Sequence, residues 1–452
     1  MREALLAAAA VAVALAVGDN YGNLSELALT LVLAATVATG CAVALPRRED
    51  ATGWRTSVIL GAGIAAGIWH DLVRSPGWHV SHDSIPAFRP VLLVAAAVAA
   101  SHLWRGAPPW VARLRPAALA ALWVGLVAIL FHAFPSPAID VWDLQQGAVA
   151  GLLRGENPYA LAYANRYGAG TPLLSPAVLS PDGTLILAFP YPPLTVLVGL
   201  AGAPVGDVRW VHVLLMVLSA AGIGWLGGWT RRAELAATFV LFQPSAIFLV
   251  EQAWTEPIVL ACLVGLSLSI ARPDPTGDRR APVLAGVAAG LALAAKQYTP
   301  LLLVPLLGAV PAGGRLRALA VAAGVALAVY LPFAAWDPHA LWRGLVTFHV
   351  AQPFRPDSLS LAAALHRLGI ALPAWIPFAA AGAIVVLAWR RTRGVAGALA
   401  VASLAWLVFL LLAKQAFANY YLLAVALLCA AAVAPAPGAT PRPEPSPAPA
   451  IR

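Results

Sequence analysis

Residues 290–307 read GLALAAKQYTPLLLVPLL, two greasy runs with Lys296 and Gln297 set between them. Nearly everything else in the stretch is Ala, Leu, Val or Pro. Only one other lysine exists, Lys414 in LLLAKQAFANYYLLAVALL, and it too stands in an Ala-Lys-Gln triplet. Every other cation among the 29 Lys and Arg residues is arginine. Apolar runs that stop twice on the same charged triplet have the pattern of membrane helices carrying a cation at the lip.

Composition extends that reading to the whole chain. With 452 residues, 61% hydrophobic and only 11% charged, and a mean hydropathy of +0.80, there is too little polar surface to coat a soluble globule. The expected fold class is therefore an all-α polytopic membrane protein. No convincing strand pattern interrupts the helical runs. The net charge of +9 does not point to nucleic acid, because the arginines lie in short clusters between apolar runs, where they orient spans. Cys41, Cys262 and Cys429 fall inside apolar runs without metal-ligand spacing, so packing residues are expected there and not a disulfide framework or a zinc site. The opening MREALLAAAAVAVALAVGDN has the short apolar core of a signal peptide, but with so many spans behind it the segment reads as the first of them. The Pro/Ala-rich stretch 436–452 has no apolar face and reads as a disordered tail.

A span takes roughly 17 to 25 apolar residues. Candidates fall near 4–17, 24–45, 56–72, 88–104, 117–134, 210–229, 233–250, 256–271, 282–295, 299–312, 316–335, 372–389, 395–413 and 420–435, so about 13–15 transmembrane helices are expected. Arg47, Arg48 and Arg55, then Arg105, Arg113 and Arg115, Arg231 and Arg232, Arg272, Arg279 and Arg280, Arg315 and Arg317, and Arg390, Arg391 and Arg393 occupy short connections, as cytoplasmic loops should. The alternate connections are poorer in cations and include the long stretches 135–190 and 336–370. The two sets alternate consistently only if 191–205, YPPLTVLVGLAGAPV, dips into the membrane and returns. Both Ala-Lys-Gln triplets then end helices on the extracytoplasmic face, beside the two large loops.

The longest polar region contains IDVWDLQQGAVAGLLRGENPYALAYANRYG. Val141, Leu144, Ala148, Leu152 and Leu153 recur at helical spacing with Gln145, Gln146 and Arg154 on other faces, predicting an amphipathic interfacial helix over 141–154 that Gly155 ends. Asp140 sits where an N-cap belongs, and it is equally placed to present a carboxylate at the membrane surface as a general base. Asp143 follows in the first turn, where an acid complements the helix dipole.

An aspartate in the first large outer loop, then a juxtamembrane helix, then GENPY and YPPL, resembles the membrane-embedded glycosyltransferases of the C-type fold. The likeness is greatest to glycosyltransferase family 87 and related polyprenol-phosphate-mannose-dependent enzymes, and runs from about residue 135 to 435. It implies a large extracytoplasmic loop bearing amphipathic juxtamembrane helices, and a glycosyltransferase-like membrane domain over 117–435 with catalytic loop 135–190. Five spans are expected before that loop, where family members commonly have one, and the N-terminal helices of 1–116 have no assigned role in that pattern. It further implies that Asp140 is the catalytic base and that the donor is a sugar, mannose first, on a polyprenyl phosphate. The acceptor would be a glycan or glycolipid. No Gly-rich nucleotide fingerprint contradicts a lipid-linked donor. Lys296 and Lys414 are the first candidates to meet the leaving phosphate, with Arg355 and His349 next.

For the lysines the competing reading is snorkelling at a helix end, set against the cost of a cation in a span, roughly 2.5–3.5 kcal/mol on insertion scales. Asp143, Tyr159, Tyr191, Gln297 and Gln415 are further candidates for substrate contact. Glu251 and Gln252 would bind acceptor hydroxyls or cap a helix break before Pro257; Asn419 and Tyr420 would line a sugar pocket or anchor the interface. His70, Asp71, His79, His82 and Asp83 match no specific metal-ligand pattern, so no metal site is assigned and a divalent cation stays open as a cofactor. Membrane lipids are the remaining partner, and nucleic acid is not expected. The rival functions are a polytopic transporter or lipid flippase and a non-catalytic envelope-assembly protein.

Overall fold

A computed structural model describes residues 1–46, 53–78, 80–104, 106–168, 170–180, 182, 189–271 and 280–435. Arg47, Arg48, His79, Arg105, Arg272, Arg279 and the tail 436–452 lie outside them. The described residues form helices and no strand, and an isolated bridge joins Asn23 to Ser358.

The N-terminal part holds α1 (Arg2–Asn20), α2 (Glu26–Ala44), α3 (Trp54–Val73), α4 (Phe88–Ala100) and α5 (Pro109–Ala133). Local chemistry sets their ends. Tyr21 takes a left-handed conformation (φ 51°) and closes α1 with its N–H on the Val17 carbonyl. Ser25 caps α2 by accepting from the Ala28 N–H at 3.0 Å. After α6 (Asp140–Leu153) and the short α7 (Pro193–Gly199) come α8 (Arg209–Leu226), α9 (Arg231–Phe242), α10 (Ala246–Glu251), α11 (Glu256–Ala271), α12 (Arg280–Leu293) and α13 (Pro300–Gly308). The remainder is α14 (Ala312–Trp336), α15 (Pro338–Trp342), α16 (Phe348–Ala351), α17 (Leu361–Arg367), α18 (Ile376–Leu387), α19 (Val395–Leu412) and α20 (Ala418–Val433).

Seven of these, α1, α2, α3, α5, α8, α14 and α19, are long and apolar enough to cross a membrane by length and composition. Shorter apolar helices, α11, α12, α18 and α20 among them, fill the places of other expected spans. The expected span 233–250 is broken into α9 and α10, because Pro244 cannot continue a helix and Ser245 turns at φ 72°. Expected span 299–312 is likewise short, ending at Gly308.

α19 and α20 occupy the centre. α19 is the most enclosed of the seven long helices and α14 the least. The N-terminal helices are not set apart from the rest: α1 packs on α2, α3 and α20, and α2 also on α19. Leu24 N–H donates to the Asp357 carbonyl at 2.8 Å, tying the α1–α2 turn to the distant 348–360 loop.

Connections gather at two ends of the bundle. At one, Arg115 pairs with Glu234, Arg231 donates to the His102 carbonyl, and Arg391 donates to the Ala44 carbonyl. At the other, Arg74 reaches the Gly18 carbonyl, Tyr21 hydroxyl the Ser75 carbonyl, and Lys414 the His349 carbonyl. The arginine-rich connections and the alternate set thus segregate. Segment 191–205, α7 plus a 3-10 turn over Leu200–Val205, has both ends at the second. Gln297 amide donates to the Pro190 carbonyl at 2.9 Å, and Gln146 amide donates to the Gly206 carbonyl at 2.7 Å.

Candidate functional site

The site starts from α6. Ile139 is extended (φ −140°, ψ 141°) and serves as N-cap, so Asp140 is the first helical residue and not the cap. Its carboxylate instead accepts from the Tyr167 hydroxyl at 2.9 Å, folded back from 27 residues on. Burial raises the affinity of Asp140 for a proton, opposed by the Tyr167 bond and the Val141 N–H.

Other α6 side chains fix the helix. Gln145, expected on a polar face, is buried: its amide donates to the Ala253 carbonyl at 2.6 Å and its oxygen lies 2.9 Å from His212 Nε2 on α8. Trp142 Nε1 donates to Asp207 at 3.2 Å. Asp143 is engaged by Arg166, one bond at 2.7 Å. That pair closes the loop over the helix start. At the far end Gly155 (φ 77°) stops the helix, as expected.

GENPY and YPPL meet behind the site. Asn157 accepts from the Tyr159 N–H at 3.0 Å in a tight turn. Tyr159 is buried, and its hydroxyl donates to the Tyr191 carbonyl at 2.7 Å. It therefore supports Tyr191 from below. Burial keeps the Tyr191 hydroxyl protonated, and the charges of Asp140 and Glu256 act in the same direction.

Lys296 Nζ lies 4.8 Å from the centre of the Tyr191 ring and 5.9 Å from those of Tyr298 and Tyr420. It is 3.3 Å from Glu256, whose side chain is wholly buried at the start of α11. The same carboxylate oxygen accepts from the Tyr298 hydroxyl at 3.0 Å, and its other oxygen has no partner among the described residues. This is an ammonium enclosed by three rings and one acid.

The second lysine is held differently. Lys414 Nζ donates to the His349 carbonyl at 3.0 Å and the Gln352 carbonyl at 2.9 Å, capping the end of α16. No carboxylate pairs with it among the described residues. Burial lowers its proton affinity. His349 bridges the two lysines: its Nε2 donates to the Pro190 carbonyl at 2.9 Å and lies 3.0 Å from the Gln297 amide nitrogen. Burial pushes His349 down to about 4, with Lys296 and Lys414 acting in the same direction. It is neutral at physiological pH.

Arg355 N–H donates to the Lys414 carbonyl at 3.1 Å. Its guanidinium pairs with Asp357 at 2.6 Å, sits 4.6 Å over the Phe417 ring, and acts electrostatically on Tyr167. Gln415 amide donates to the Pro353 carbonyl at 3.2 Å. Asn419 and Tyr420 lie at the start of α20, with Tyr420 ring-to-ring with Tyr298 at 5.7 Å. Asp140, Tyr191, Lys296, Gln297, His349, Arg355, Lys414 and Tyr420 thus form one connected neighbourhood.

Glu251 and Gln252 lie at the same end but contact each other, with Glu251 beside Gly77. No bond joins them to the lysines among the described residues. His70 and Asp71 bond each other at 2.8 Å, and no group of three metal-ligating side chains occurs among the described residues.

Sequence reasoning did not single out Tyr167, Glu256 or Tyr298. Glu256 carries a usable signal, since a lysine buried in an apolar run calls for a carboxylate, and Glu256 opens an apolar run of its own. Tyr167 carries none. Comparison with known proteins finds no family model, curated protein or solved structure that matches the chain.

Proposed function

We propose that the protein is an integral membrane glycosyltransferase that moves a sugar from a polyprenyl-phosphate donor to a glycan or glycolipid acceptor with inversion. Mannose is the sugar the family resemblance favours. The observation that carries the reading is a buried carboxyl, Asp140, bonded to Tyr167 in one neighbourhood with cations from three distant parts of the chain, Lys296 on the Tyr191 ring, Arg355 and Lys414. Asp140 takes the proton of an acceptor hydroxyl. That oxygen forms the new bond to the anomeric carbon, and the phosphate departs with the electron pair of the broken bond.

The cations are unequal in this role. Lys296 and Arg355 are each matched to an acid, Glu256 and Asp357, so Lys414 brings the less compensated charge. Two of its three N–H donors go to carbonyls, which leaves one for a phosphate oxygen. Tyr191 and Tyr420 offer ring faces to the sugar, with Gln297, Gln415 and Asn419 supplying polar contacts.

The positive-inside rule places the arginine-rich end in the cytoplasm and Asp140 on the extracytoplasmic face of the cell membrane. With 191–205 returning to its own side, α1–α5, α8, α9 with α10, α11–α14 and α18–α20 make fourteen passes. Both termini are then cytoplasmic, in a C-type arrangement.

Incubating membranes with a radiolabelled polyprenyl-phosphate sugar tests the reading. Asp140→Asn should reduce transfer by roughly 10²–10⁴-fold with expression unchanged, and full activity of that variant rejects the assignment. The buried Lys296–Glu256 pair also suits a transporter. In that case labelled lipid would change sides without any new glycosidic bond.

A further inference from the structure

A cavity of about 1130 Å³ runs along α3 between α4 and α9, its polar mouth at the opposite end of the bundle from Asp140. It exceeds the roughly 300–1,000 Å³ of pockets for drug-sized ligands. Its walls are apolar, with Trp54, Val58, Trp69 and Leu103 all exposed. Along α3 it reaches from Gly53 to Leu72, about 28 Å at 1.5 Å per residue, close to the thickness of a hydrocarbon core.

The polar mouth is one-sided in charge. Ser57, His102, Thr230, Arg231 and Arg232 line it, and no acid lines it among the described residues. Glu234, just beneath, is already held by both arms of Arg115 at 2.6 and 2.7 Å. His102 is 6% exposed, and neither ring nitrogen has a hydrogen-bond partner among the described residues. Its Nε2 lies 3.8 Å from Glu234, so the imidazole belongs with the Arg115–Glu234 pair beneath the mouth. Arg231 uses one N–H on the His102 carbonyl at 2.6 Å, leaving the others free to donate.

We propose that this groove binds an anionic diacyl phospholipid, its acyl chains along α3 and its phosphate on Arg231 and Arg232. The site is independent of sugar transfer. It gives the N-terminal helices a role as a lipid-reading flank, drawing on the leaflet that the arginine-rich end faces.

The test uses the full-length protein, delipidated in neutral detergent and titrated with phosphatidylglycerol, phosphatidylcholine or inorganic phosphate while its melting temperature is followed. Phosphatidylglycerol should saturate on the order of ten-fold more tightly than phosphatidylcholine, the scale expected of two surface cations. Arg231→Gln with Arg232→Gln should remove that preference, while the paired lysine substitutions should keep most of it. Ala96→Trp, which fills the groove, should abolish the response to both lipids. Equal responses to the two lipids overturn the proposal, as does an undiminished preference in the glutamine pair. So does inorganic phosphate reproducing the full shift, since that would reveal an anion site without lipid. None of these readouts depends on catalysis.

Discussion

Asp140 and Lys296 each depend on a residue that sequence pattern alone passes over. The Tyr167 bond favours the charged form of Asp140, so Tyr167→Phe should raise the carboxyl's proton affinity further. A base must be deprotonated to act. The acidic limb of the pH–rate profile should therefore shift upward by about 1–2 pH units, from a charged hydrogen bond of about 1.5–3 kcal/mol at 1.36 kcal/mol per unit. An unmoved limb would show that Asp140 is not the titrating group. Lys296 and Glu256 form a buried ion pair, for which removing one partner costs about 3–5 kcal/mol because the other is stranded. Lys296→Met should lower thermal stability by that order, and adding Glu256→Gln should restore most of it. If the double variant melts no higher than the single one, the pairing is not what holds the site.

Elements were legible where apolar runs were long and unbroken. α1, α2, α3 and α19 fall where hydropathy puts them. Boundaries failed at Pro244, where a run of constant hydropathy hides a broken helix, and around α13, where Pro305 and Gly308 shorten the expected span. Close packing was also invisible to composition. A Cβ on Gly286 or Gly290 of α12 would lie 2.6 Å from the Ala318 or Ala322 carbonyl oxygen of α14, so only glycine permits that approach. Gly290→Val should destabilise by roughly 1–3 kcal/mol through overpacking. Gly324→Ala, on α14 and facing open space, should cost nothing. Thermal melting of the two variants side by side checks this, and equal losses would mean that the α12–α14 contact is not tight.

At the scale of the whole molecule, alternation of arginine-rich and arginine-poor connections was readable from charge alone, because lipid forces each connection to one end or the other. Packing of the N-terminal helices was not. The bond from Leu24 to Asp357 joins residues that no local pattern relates. The two ends make a direct prediction for a variant lacking the three native cysteines. Arg154→Cys, exposed on the Asp140 end, should react with a membrane-impermeant maleimide in intact cells. Arg393→Cys should react only after permeabilisation. Labelling of both from outside would dismantle the assigned orientation.

The returning segment 191–205 has a consequence for biogenesis. Asp140 is synthesised before it, and both lysines after it. Because it contributes an even number of crossings, it leaves everything downstream in phase with everything upstream. A few added apolar residues that let the insertion machinery accept it as a single pass would invert everything from residue 206 onward. The carboxylate and the ammonium groups would then mature in different aqueous compartments, although no residue of the centre itself had changed.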